Sequence, residues 1–213
     1  GVLWKNMPDM DKEKSCCFFG HRRIDETEEL KNRLCGIVEN LIVNEKVDTF
    51  FFGSKSQFDD LCHKVVTELK EKYSHIKRIY VRSAFQHIPD WYEDSLLKHY
   101  EGTYFPEYME NAGRASYVER NQEMIIHSKF CVVYYDENYL PPRRKNSRRD
   151  LFDYQPKSGT AVAYDYAIKK KKEIINVYNS GWLYHPNNTW DLRLFNIRIR
   201  DIIITSFANK VSF

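Results

Sequence analysis

Three short apolar runs constrain this chain most: CCFFG at 16–20, VDTFFFG at 47–53 and KFCVVYYD at 129–136. Each is greasy on both alternating faces and stops at a glycine or an acidic residue. Such runs suit strands covered on both sides, as in a parallel sheet between two layers of helices. Between them the period changes. Leu30, Leu34, Ile37, Val38 and Leu41 recur at helical spacing behind Asp25 and Glu28, the spacing of a capping box, which predicts an amphipathic helix over 25–43. Leu61, Val65, Leu69 and Tyr73 place a second helix over about 57–73, and IKRIYVR (76–82) reads as a third strand. Pro89 can open a short helix running through Trp91 to His99, and EGTYFPE (101–107) reads as a loop or short strand. A helix over 114–127 should turn Met124 and Ile125 to the core. Another over 159–171 leads into a last parallel strand at 173–178. Strand–helix alternation of this kind predicts an α/β fold, a doubly wound parallel sheet with helices on both faces.

The 213 residues suffice for one such domain, with residues 1–14 as an N-terminal extension, 15–180 as the domain and 181–213 as a C-terminal extension packed on its edge as a helix or strand. Pro141, Pro142 and the cluster RRKNSRR (143–149) make 137–157 an exposed basic loop. The net charge of +3 is too weak by itself to imply nucleic acid. Five cysteines without a paired spacing predict a reducing, cytoplasmic setting with no disulfide and no metal site. No apolar stretch reaches membrane-spanning length and no signal-peptide pattern opens the chain, so no membrane partner is expected. His63, His75 and His99 read as surface residues, and the lysines at 169–172 as complements to a helix C-terminus.

In open α/β sheets ligands bind beyond the carboxyl ends of the strands. The residues just past each strand are therefore informative: Gly20, His21 and Arg22 after the first, Gly53, Ser54 and Asp59 after the second, Arg82 after the third, Asp136 after 129–136. Ser158, Gly159 and Thr160 open the last helix. Glycine lets a backbone approach a ligand, arginine offers a planar fork to phosphate, and hydroxyls donate short bonds. A helix start with unpaired N–H groups suits an anion, though Ser158 could equally be a plain cap. Neither a Walker A run nor G-x-G-x-x-G is present, so no ordinary nucleotide cofactor is expected.

The segments FFGHRR (18–23), FFGSKSQFDDLC (51–62), ERNQEMIIHSKFCVVYYDE (119–137) and SGTAVAYDYAIKKKKEIINV (158–177) together resemble the SLOG superfamily, and within it the YpsA-like branch, over roughly residues 15–179. The superfamily also contains DprA and the Lonely Guy nucleotide hydrolases. The resemblance implies a Rossmann-like sheet with a nucleotide-type pocket on its edge and no bound cofactor. Gly20, His21 and Arg22 match the first-loop motif, Gly53 and Asp59 the second, Arg120 and Asn121 the Arg-Asn pair, and Ser158, Gly159 and Thr160 the phosphate triplet. One departure bears on chemistry. The Lonely Guy hydrolases need a glutamate three residues after the Gly-Thr threonine, and Ala163 stands there. Without that carboxylate an oxocarbenium-like transition state loses its nearest stabiliser.

The expectation is a domain binding a nucleotide or nucleotide-derived ligand, in a possible homodimer. A nucleoside monophosphate N-glycosidase using Asp59, Glu119 or His21 is an alternative. A further one is single-stranded DNA binding as in DprA, through the basic loop and nearby aromatics. In the nucleotide reading, Phe85 and Trp91 are candidates, by position, to stack on the base.

Overall fold

The computed structural model describes residues 10–53, 55–107, 109, 114–140, 157–178, 182–184 and 190–191. Ser54, most of the basic loop and most of both extensions lie outside these residues. A 3-10 turn at Lys12–Lys14 leads into β1 (Ser15–Gly20), α1 (Glu28–Val43), β2 (Thr49–Phe52), α2 (Gln57–Lys72), β3 (Lys77–Val81), α3 (Asp90–Leu97) and β4 (Gly102–Tyr104). α4 (Arg114–Ile126), β5 (Phe130–Tyr134), α5 (Gly159–Lys169), β6 (Glu173–Asn176), β7 (Trp182–Tyr184) and β8 (Trp190–Asp191) come after them.

The sheet order is β4-β3-β2-β1-β5-β6-β7-β8. The first six strands in that order are all parallel. This is a Rossmann-like α/β fold. The chain winds outward from β1 to β4, crosses back through α4, and resumes at β5 on the other side of β1. The switch point lies between β1 and β5, where Cys17 faces Cys131 and Gly20 faces Tyr134. β7 and β8 extend the β6 edge in antiparallel sense. The alternatives of helix or strand for the chain's end resolve, at these residues, to strand.

Side-chain alternation along the buried strands sorts the core into two layers. Cys16, Phe18, Phe50, Phe52 and Val132 pack under Leu34, Val38 and Leu41 of α1 and Phe58, Leu61 and Val65 of α2. Cys17, Phe19, Phe51, Cys131 and Val133 pack under Met124 and Ile125 of α4 and Ala163 and Ala167 of α5. Phe18 stacks between Phe50 and Phe52, at centroid distances of 5.9 and 5.1 Å. Each such buried ring contributes about 1.5–3 kcal/mol of transfer free energy.

Two local expectations need correction. α1 is capped by Thr27, whose hydroxyl accepts from Leu30 N at 3.1 Å, and not by Asp25. Both residues are capping types two positions apart, and the backbone turns helical only after Thr27. His63 is half-buried rather than a surface residue: it packs against Phe52 and Tyr100, and its Nε2 lies 3.0 Å from His99 O.

Candidate functional site

Every helix joining two parallel strands starts at the carboxyl rim of the sheet, so the topology gathers the starts of α1 through α5 on that rim. The residues anticipated there fall into a closed part and an open part.

Gly20 and Gly53 belong to the closed part. A Cβ on Gly20 would lie 2.5 Å from Cδ1 of the Phe58 ring. One on Gly53 would lie 2.6 Å from Arg120 Cδ and 2.9 Å from Val81 O. Both glycines are required by the chain's own close packing. Arg120 reaches from α4 across the end of β2. Its Nη1 donates to Gly53 O, while Nε and Nη2 donate to Asn121 Oδ1 at 3.3 and 3.1 Å. It is 4% exposed, and its guanidinium lies over the Tyr117 ring, 5.4 Å from the centroid. Burial weakens its hold on the proton, and the Asp59 charge works in the opposite sense. An arginine stays cationic through such shifts. Asp59 is buried in the first turn of α2, and its N–H donates to the cap, Ser56 Oγ, at 3.0 Å. Glu119 is half-buried on α4.

The first loop is held from two sides. His21 N donates to Tyr134 O at 3.2 Å, and His21 Nε2 accepts from Asp136 N at 2.9 Å. Arg22 O accepts from Gln57 N at 2.9 Å, and Ile24 N donates to Gln57 Oε1 at 3.0 Å. The Arg22 and Arg23 side chains are exposed. Beyond β3, Arg82 donates through Nη1 to Phe85 O and Gln86 O, at 3.1 and 3.2 Å. It thereby holds Phe85 at a φ of 61°, a left-handed conformation that bulky residues rarely adopt.

α5 supplies the open part. Ser158 is its cap: the hydroxyl accepts from Ala161 N at 3.1 Å. Thr160 is buried, and a Cβ on Gly159 would meet nothing within 4 Å. Ala163 is packed in the core under α5. Among the described residues no group of three or more His, Cys, Asp or Glu could hold a metal ion.

Asn176 and Gln57 were not anticipated. Asn176 Oδ1 accepts from Tyr135 N at 3.1 Å and Tyr178 N at 3.2 Å, and its Nδ2 donates to Tyr135 O at 2.8 Å. The amide continues the β5–β6 ladder where the strands part. An asparagine ending a β-branched run is the only trace of this in the sequence.

No family model matches the chain, and no curated protein matches it. Among solved structures it is similar to DNA processing protein A (DprA) from Streptococcus pneumoniae, at 11% identity and a TM-score of 0.49. That match covers 78% of this chain and 49% of the other. It is also similar to DNA processing protein A from Helicobacter pylori, a structure described for its single-stranded DNA binding mode, at 15% identity and a TM-score of 0.46, covering 76% and 64%. The chain thus spans about half of the first protein and less than two thirds of the second.

Proposed function

We propose that the carboxyl rim binds a nucleotide or nucleotide-derived ligand by its phosphate, as a sensor or carrier domain of SLOG type. One observation carries this: α1, α2 and α3 each have acidic residues in their first turn, and the packed neighbours α4 and α5 have none. A helix start with no carboxylate of its own keeps its dipole and N–H groups available to a foreign anion. Gly159 leaves the approach clear, Arg120 places a desolvated cation on the adjoining helix, and Arg22 offers an exposed one. The resemblance to the YpsA-like branch puts phosphate on the same Ser158–Thr160 triplet. Gly20, His21, Gly53, Ser54, Asp59, Arg82 and Asn121 complete the proposed rim, Gly20 and Gly53 as packing positions. Residues 15–180 are taken as the binding unit. A dimer in a reducing cytoplasm is part of the same proposal. Among the described residues no helix is long and apolar enough to cross a membrane.

Turnover of the Lonely Guy kind is not proposed. Ala163 faces the core, so the missing glutamate has no vacant position there to be restored to. Single-stranded DNA, the ligand named for the Helicobacter pylori protein, is the second reading. The exposed rings of Phe85 (76%), Trp91 (72%) and Tyr117 (53%) favour it, since bases stack on such rings in any sequence.

The test is to denature the purified protein and identify released small molecules by mass spectrometry, then to titrate the compound found into Gly159→Val. A branched side chain at that open position should abolish binding while melting stays near wild type. Unchanged affinity would remove α5 from the site. Melting unmoved by any nucleotide, together with a steeply salt-dependent affinity for a single-stranded oligonucleotide, would move the conclusion to the second reading.

A further inference from the structure

At the switch point the chain holds a donor that it does not itself use. His21 is 2% exposed. Its Nε2 accepts the Asp136 N–H, so the neutral ring carries its proton on Nδ1. Nδ1 is buried and meets no acceptor among the described residues. Three tyrosines surround the ring: Tyr134 edge-on at 6.2 Å, Tyr135 at 5.9 Å and Tyr139 at 4.1 Å, tilted by 31°. The Asp136 carboxylate is engaged elsewhere, accepting from Asn138 N at 2.9 Å. A buried donor with no acceptor is uncommon in folded proteins and calls for a specific explanation.

We propose that His21 Nδ1–H is a specificity-determining donor to an uncharged acceptor, a ring nitrogen or carbonyl of a nucleobase, which meets Nδ1 edge-on in the plane of the imidazole. This rests on the nucleotide reading of the rim and assigns its base end. The acceptor is uncharged because the donor is neutral and the nearby Asp136 carboxylate repels an anion. Tyr139 covers the imidazole face; it is half-exposed and belongs to the turn in which its N–H donates to Asp136 O at 3.1 Å, so its ring can shift without unpicking the sheet.

Two measurements on the full chain test this. Nitrogen-15 spectra of the imidazole should show His21 protonated on Nδ1, and protonation on Nε2 overturns the assignment. Calorimetric titration with AMP, GMP, CMP and UMP is then compared across wild type, His21→Asn and His21→Gln. Asparagine places a donor near the Nδ1 position, whereas glutamine places an acceptor near Nε2 to hold Asp136. His21→Asn should stay within about threefold of wild type for the preferred nucleotide, and His21→Gln should lose about tenfold, the scale of one neutral hydrogen bond. Where His21→Asn melts far below wild type, His21→Gln and the spectra decide. Equal affinity for all four nucleotides, or no loss in His21→Gln, overturns the His21 role and leaves phosphate binding standing. If wild type binds none of the four, the His21 role is overturned, and the mass-spectrometric search for a released compound decides the nucleotide reading separately.

Discussion

On the α1–α2 face of the sheet the helix starts are closed by the chain itself. Glu28 and Glu29 stand in the first turn of α1, Asp59 and Asp60 in that of α2, and Phe58 fills the space above Gly20. On the α4–α5 face neither helix has a first-turn acid, and the space above Gly159 is open. Both faces bury comparable strands, so the contrast does not come from the core. It comes from whether the helix dipole is answered inside the molecule or left for a partner. Glycines that look alike in the sequence consequently do opposite work. Those ending β1 and β2 make room for Phe58 and Arg120, and the one opening α5 makes room for nothing in the chain.

The largest expected effect tests that division directly. Gly53→Ala would press a methyl group onto Arg120 and, less forgivingly, onto the Val81 carbonyl. It should cost about 3 kcal/mol, the upper range for overpacking, measured by urea denaturation. Gly20→Ala meets only the Phe58 side chain, whose ring can tilt, and should cost about 1–2 kcal/mol. A neutral result at Gly53 would mean that the close approach of Arg120 is not enforced, and the closed part of the rim would have to be redrawn.

Gly159→Ala is the counterpart on the open face. Alanine in a helix is favoured over glycine by up to about 1 kcal/mol, and no atom opposes the new methyl group. The substitution should leave stability unchanged or raise it by a few tenths of a kcal/mol, read by thermal melting. Destabilisation there would show that the space is needed by the fold itself.

How far this contrast could be read in advance depends on the range of the interactions. The buried strands were legible because runs such as FFF at 50–52 and CVV at 131–133 admit few alternatives. The glycines were legible as special positions, but not the reason for each. Arg120 and Gly53 are 67 residues apart, and nothing local to either announces the contact. Ser158 was open between cap and phosphate ligand because a serine before a helix serves both, and the bond from the Ala161 N–H shows the first of these roles. Short edge strands such as β7 carry too few residues to show a period of two. His63 was missed because its burial comes from Phe52 and Tyr100 on separate elements.

The smallest expected effect is a pH slope, and two histidines carry it: His21 after β1 and His63 on α2. Burial lowers the pKa of His21, with the Asp136 charge pulling the other way, and the Asp136 N–H that donates to Nε2 needs that nitrogen unprotonated. Burial also lowers the pKa of His63, opposed first by the hydrogen bond to the His99 carbonyl and then by Asp60, and helped by the Arg78 and His99 side chains. A histidine with a folded pKa below its unfolded value binds protons more readily in the unfolded chain, so stability rises with pH through that interval. The contribution is complete above about pH 6.5, the ordinary histidine value, and is lost as the pH falls toward the folded values. Urea melts at pH 7.5 and pH 5.5 should show lower stability at the acidic end. His63→Gln should flatten part of the slope and His21→Gln another part, because the two rings share no neighbour among the contacts described. A slope of opposite sign would mean that one imidazole is held as a cation, and an acid acceptor facing Nδ1 of His21 would then have to be found on the rim.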